Sequence, residues 1–99
     1  MAYLEVIWTI TAKLQLNSIY NFYKTEKKTL QGAINVRHDI LEAGRKITFK
    51  DQYQKDEIQP EYRRIIVRHY KLLYKEIGGK IVILRIFNTI QDPNKQDYL

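Results

Sequence analysis

Apolar and polar positions alternate from residue 2 to residue 8. Leu4, Val6 and Trp8 fall on one side and Tyr3, Glu5 and Ile7 on the other, with β-branched and aromatic side chains that favour a strand. From Thr11 the period lengthens. Ala12, Leu16, Ile19, Tyr20 and Tyr23 recur at spacings of three and four, with Lys13, Gln15, Asn17, Asn21 and Lys24 between them, which predicts an amphipathic helix capped by Thr9 or Thr11. After the polar run KTEKK a second stripe, Leu30, Ala33, Ile34, Arg37, Ile40 and Leu41, predicts a second helix, ended by Gly44 in the left-handed conformation. The short polar connection makes the two helices an antiparallel hairpin. Residues 46–60 are polar and poorly periodic. They predict a loop that ends at Pro60, with a short extended piece around Tyr53.

The remainder is rich in strand formers. RIIV, KLLY and KIVILRIF each favour the extended chain, and Gly78-Gly79 is a two-residue hairpin signal. The stretch from Tyr62 to Ile77 is too long for one ordinary strand, so a turn is placed near Arg68 and His69, and Asp92-Pro93-Asn94 ends the sheet. The expected order is β-α-α-β-β-β. This is an α+β class in which a helical hairpin covers one face of a mostly antiparallel sheet, and residues 1–99 form a single domain.

Sorting the last three strands by parity puts Ile65, Val67, Leu72, Tyr74, Val82, Leu84 and Ile86 on a core face. The opposite face collects Arg64, Arg68, Lys71, Lys75 and Arg85, interleaved with Ile66, Leu73, Ile83 and Phe87. Between Tyr62 and Phe87 stand seven basic side chains and one acid, Glu76, a surplus of six that equals the net charge of the whole chain. Such a face is either simply solvated or built to bind, and apolar groups among the cations favour binding. Phosphate can pair with the charges, and bases can stack on the rings.

Composition narrows the chemistry. A chain of 99 residues with 44% hydrophobic side chains, four glycines and two prolines has the core material of a globular domain. The absence of cysteine excludes a thiol nucleophile, a disulfide scaffold and a thiolate metal site, and fits the reducing cytosol. His38 and His69, the only histidines, are expected in surface roles. No stretch has the length of a membrane-spanning helix, and the start lacks the pattern of a signal peptide, so a cytoplasmic location without membrane is expected. No phosphate-binding loop, dinucleotide motif or HExxH is present, and no cofactor or metal is expected. Asp51, Asp56, Glu57 and Glu61 cluster in the polar loop at irregular spacing and read as solvated charge.

The first strand followed by WTITA, the element order, and above all RRIIVRHYKLLYKEI followed by IVILRIFNT resemble the RelE/ParE superfamily of bacterial type II toxin–antitoxin toxins. The resemblance covers essentially the whole chain. It implies a growth-inhibiting toxin, silenced by a small antitoxin whose C-terminal segment wraps it, as a homodimer or a toxin–antitoxin hetero-oligomer. Two targets follow from it. RelE-like members cleave mRNA in the ribosomal A site through basic residues on the open sheet face, whereas ParE-like members poison DNA gyrase. A nucleic-acid-binding domain without toxicity is a further alternative.

Transferred residue by residue, the resemblance makes Arg64, Lys71 and Arg85 the charge-stabilising set of a ribonuclease and Tyr98 the one late candidate acid. Where ribonuclease members carry an arginine, or a histidine and tyrosine, at the end of the last strand, this chain has Thr89, Ile90 and Gln91. Acid–base chemistry is therefore poorly supplied, and a gyrase-type or unknown target is preferred. Ile66, Arg68, Leu73, Lys75, Ile83 and Phe87 are the expected partner-binding residues.

Overall fold

A computed structural model describes residues 4–90. The elements are β1 (Val6–Trp8), α1 (Ile10–Thr25), α2 (Leu30–Arg45), β2 (Arg63–Val67), β3 (Tyr70–Ile77) and β4 (Lys80–Asn88), in the order expected. They form one four-stranded sheet, ordered β1-β4-β3-β2. β1 runs parallel to β4, and the other two pairings are antiparallel. The fold is α+β, with the helical hairpin on one face of a mixed sheet.

Each boundary has a local cause. Thr9 begins α1 in extended backbone, its hydroxyl accepting the Ala12 N–H at 3.1 Å, and Thr29 caps α2 in the same way with the Gly32 N–H. Thr9 also donates its hydroxyl to the Leu84 carbonyl at 2.8 Å, so the start of α1 is fastened to β4. Gly78 and Gly79 both take positive φ, as the tight turn between β3 and β4 requires. The turn between β2 and β3 falls at Arg68-His69, with Arg68 at φ 56°, in the left-handed region that costs a side chain of this size free energy.

The core lies between the hairpin and the sheet. Ala12 and Leu16 of α1, Val36 and Ile40 of α2, and Ile65, Tyr70, Leu72, Tyr74, Ile81, Ile83 and Ile86 of the sheet form one buried cluster. Val6 and Trp8 of β1, and Leu4 just before it, pack on this cluster, as their alternation predicts. Two expectations are corrected here. Gly44 does not stop α2 in a left-handed conformation; it lies inside the helix and is buried, and a Cβ there would stand 2.5 Å from Cζ2 of Trp8 and 2.9 Å from Cδ1 of Ile83. The glycine is there for close approach of helix and sheet.

The second correction concerns β4. Leu73 pairs with Arg85, and Tyr74 pairs with Ile83, so Leu84 is an extra residue at a bulge. The bulge reverses the parity on its far side. Ile81 and Ile83 enter the core, while Val82 and Leu84, expected there, stay outside the buried cluster. Ile83 is therefore a core residue and not part of the basic face.

Candidate functional site

The register sorts the uncovered sheet face into cross-strand rows. Arg64, Leu73 and Arg85 are neighbours across β2, β3 and β4, and Ile66, Lys71 and Phe87 form the next row. Three of the four expected catalytic residues thus share one patch, and Tyr98 lies outside the described residues. Lys71 Nζ stands 5.7 Å from the Phe87 ring centre, and Lys75 Nζ 5.2 Å from that of Tyr62, both within cation–π reach.

The patch is not a bare basic surface. The segment 54–64 doubles back beside β2: Lys55 bridges to Arg63, the Arg64 N–H donates to the Gln54 carbonyl, and the Asp56 N–H donates to the Tyr62 carbonyl. This strap carries Asp56 over the sheet, where its carboxylate accepts from Lys71 Nζ at 2.7 Å and from the backbone N–H groups of Ile58 and Gln59 at 3.1 and 2.9 Å. The pair is buried, with side chains 7% (Lys71) and 1% (Asp56) exposed. Burial alone pushes the Asp56 carboxyl up; the Lys71 hydrogen bond and the two backbone donors outweigh it and hold the group below the ordinary carboxylate value.

Arg64 is engaged as well. Its Nη2 lies 3.2 Å from Glu57 Oε1, and its Nε stands 4.0 Å from Asp56 Oδ1, buried and without a hydrogen bond. Arg68 pairs with Asp39 of α2 through Nε at 2.9 Å and Nη2 at 2.8 Å. Leu73 sits on this face but is fully buried, so it is no surface anchor. Ile66 is exposed, and Phe87 and Lys75 are half-buried. Asp56, Ile58, Arg64, Ile66, Lys71 and Thr89 line a pocket of about 170 Å³.

Proton-transfer groups are sparse around this pocket. His38 is exposed on α2, and His69 stacks on Tyr70 at 4.2 Å in the β2–β3 turn. The Thr89 hydroxyl donates to the His69 carbonyl. Tyr70 faces the core, where burial first and Tyr23 second push its phenol up to about 12. It borders a larger groove of about 510 Å³ between α1 and the Tyr70 end of the sheet, lined by Ile19, Phe22, Tyr23, Ile86 and others.

Asp56 is the residue that the sequence reading missed. Asp56 is not solvated charge but buried against Lys71, whereas Asp51 and Glu57, paired with Arg63 and Arg64, and Glu61 are exposed, as expected of the loop. Among the described residues no three metal-ligating side chains converge. A signal was available in the sequence. An aspartate four residues before a proline, followed by residues whose N–H groups it can accept, is the start of an Asx turn, and such a turn fixes the carboxylate in place.

No profile of a known protein family and no curated protein sequence matches the chain. Among solved structures it is similar to a chain of the chromosomal ParDE TA system from P. aeruginosa, with a TM-score of 0.76 over 87% of this chain and 96% of that one, at 21% sequence identity. At that identity the likeness is one of fold. It is the fold that the sequence resemblance led us to expect.

Proposed function

We propose that this chain, which shares its fold with a protein of a ParDE toxin–antitoxin system, is the toxin of a type II pair, and that it arrests growth by binding a host target of the DNA gyrase type rather than by cutting RNA. The observation that carries the second half is the engagement of Lys71. A ribonuclease of the RelE kind needs free cations to hold the scissile phosphate, and Lys71 is buried with its charge committed to Asp56 at 2.7 Å. Arg64 is shared between Glu57 and the same carboxylate. Acid–base help is worth about 10²- to 10⁴-fold in rate, and among the described side chains that line the pocket there is no histidine or tyrosine to give it, while its carboxylates, Asp56 and Glu57, are already paired with cations.

Two parallel assays on the purified chain test the reading. Mapped mRNA ends on translating ribosomes should be unchanged, and gyrase supercoiling should be inhibited with cleavage complexes trapped. Codon-phased cuts that vanish in Arg64→Ala or Lys71→Ala would overturn the binding mechanism and restore the ribonuclease. Growth arrest on expression, relieved by the antitoxin partner, tests the toxin assignment itself; normal growth of cells making soluble, folded chain defeats it.

A further inference from the structure

Two cations meet one carboxylate oxygen beneath the strap, and one oxygen does not satisfy both. Asp56 commits Oδ2 to its own turn, where the Ile58 and Gln59 N–H groups donate to it at 3.1 and 2.9 Å. Only Oδ1 is left for the cations. It accepts from Lys71 Nζ at 2.7 Å and stands 4.0 Å from Arg64 Nε, which is buried and makes no hydrogen bond among the described residues. Glu57, exposed, accepts from Nη2 of the same guanidinium at 3.2 Å, so it holds the arginine in place without relieving Nε. A buried N–H without an acceptor is destabilising, and native structures seldom keep one.

This is an anion site whose occupant has the wrong shape. Lys71 and Arg64 stand on the neighbouring strands β3 and β2, and both line the pocket of about 170 Å³ that Asp56 also lines. A planar carboxylate with one oxygen held by its own turn satisfies the lysine and misses the arginine. A tetrahedral oxyanion presents three oxygens to such a pair and can accept a charge-assisted bond from each. The strap need not unfold to admit it. Its pairing with β2 is made by backbone: Lys55 against Arg63, the Asp56 N–H to the Tyr62 carbonyl and the Arg64 N–H to the Gln54 carbonyl. Rotation of the Asp56 side chain leaves those bonds in place and gives up only the turn and the Lys71 contact.

We infer that Asp56 is a built-in competitor for a phosphate site formed by Lys71 and Arg64: the strap keeps the site closed, and a phosphate group enters only by displacing the carboxylate. The apparent affinity is then the intrinsic one reduced to the fraction of molecules that Asp56 has left open. The site stands whether or not the chain is a toxin. Opened, it holds phosphate without cutting RNA, because among the described residues that line the pocket there is no histidine or tyrosine.

The test titrates the whole chain with inorganic phosphate, and with acetate at the same ionic strength, while NMR follows the Arg64 Nε–H signal. In Asp56→Asn, which keeps an oxygen for the turn, phosphate should bind at least about tenfold tighter than to the unaltered chain and should shift the Arg64 signal as Nε gains an acceptor. Lys71→Met added to Asp56→Asn should abolish the gain. Glu61→Gln removes the same charge from an exposed position on the strap and should leave the affinity within about twofold. An Asp56→Asn chain with unchanged affinity or an unmoved Arg64 signal overturns the inference. Equal tightening by Glu61→Gln, or acetate as tight as phosphate, does the same, since either reduces the effect to charge alone. Because Asp56→Asn strands the Lys71 charge, it can fail to fold in chloride; a melting transition regained in phosphate and not in acetate then supports the site, and any other result defeats it. Dimethyl phosphate distinguishes the source. Its binding beside inorganic phosphate supports a site for the diester of a nucleic-acid backbone, and binding of inorganic phosphate alone supports one for a free or terminal phosphate group.

Discussion

Lys71 illustrates how one neighbour changes the meaning of a residue. On the strand pattern it is a cation on an open face; in the structure it is half of a buried ion pair whose partner comes from a loop. Breaking such a pair from one side strands a charge and costs about 3–5 kcal/mol, whereas replacing both partners with uncharged side chains of similar volume is often neutral. Lys71→Ala should therefore lower the melting temperature sharply, and Lys71→Met combined with Asp56→Asn should recover most of the loss, as calorimetry can check. Acid unfolding carries the same signature. Because the Asp56 carboxyl is held below its ordinary value in the fold, its contribution is present above about pH 4 and is lost as the pH falls through that depressed value. Asp56→Asn should remove that part of the acid dependence. At the other end, Tyr70 is raised to about 12, so the unfolded chain gives up the phenolic proton first, and stability should decline as the pH rises from about 10 toward 12. Tyr70→Phe should flatten that limb in denaturant titrations.

At the scale of elements, the contact between α2 and the sheet hinges on the missing side chain of Gly44. A methyl group there meets Trp8 and Ile83 closer than ordinary packing allows. Gly44→Ala should gain about 1 kcal/mol of helix propensity and lose about 1–3 kcal/mol to overpacking, a net destabilisation readable by urea unfolding. Adding Trp8→Leu should relieve part of the overpacking. Strand and helix identities were legible from periodicity because local alternation and burial agree in β2 and β3. They part company in β4. A bulge arises from pairing between Leu73, Tyr74, Ile83 and Arg85, which no count along one strand reveals, so parity puts Ile83 on the basic face and Val82 and Leu84 in the core, the reverse of what the structure has. Gly44 was misread for a similar reason, since its role depends on an indole thirty-six positions away in the chain. The site was half legible. Arg64, Lys71 and Arg85 were found by parity, but Asp56 enters by a loop whose composition looks solvated, and only its tertiary hydrogen bonds disclose it.

For the molecule as a whole, the charge surplus is distributed otherwise than the sequence suggests. Of the seven cations between Tyr62 and Phe87, Arg63, Arg64, Arg68, Lys71 and Lys80 are ion-paired with Asp51, Glu57, Asp39, Asp56 and Glu5. Lys75 and Arg85 have no ion pair with a described residue. A duplex bound through this face should then release about two counterions, giving a slope near −2 in log affinity against log salt where seven free cations would give about −6. Anisotropy titrations of a labelled duplex at several salt concentrations check this, and Lys75→Ala with Arg85→Ala should abolish most of the slope. The parallel seating of β1 against β4 has its own consequence, which lies in the order of synthesis. β1 is made before every other described element, yet its sheet partner is the last of the described strands, and the start of α1 is fastened to that strand through Thr9 and Leu84. While translation is short of Lys80, β1 has no strand to pair with and β3 lacks one neighbour, although the α1–α2 hairpin can already form from local contacts. A prematurely ended chain is thus a helical hairpin with β1 unpaired and the β2–β3 pair open along one edge, and the surface that carries Arg64, Lys71 and Arg85 comes into being only when β4 closes the sheet.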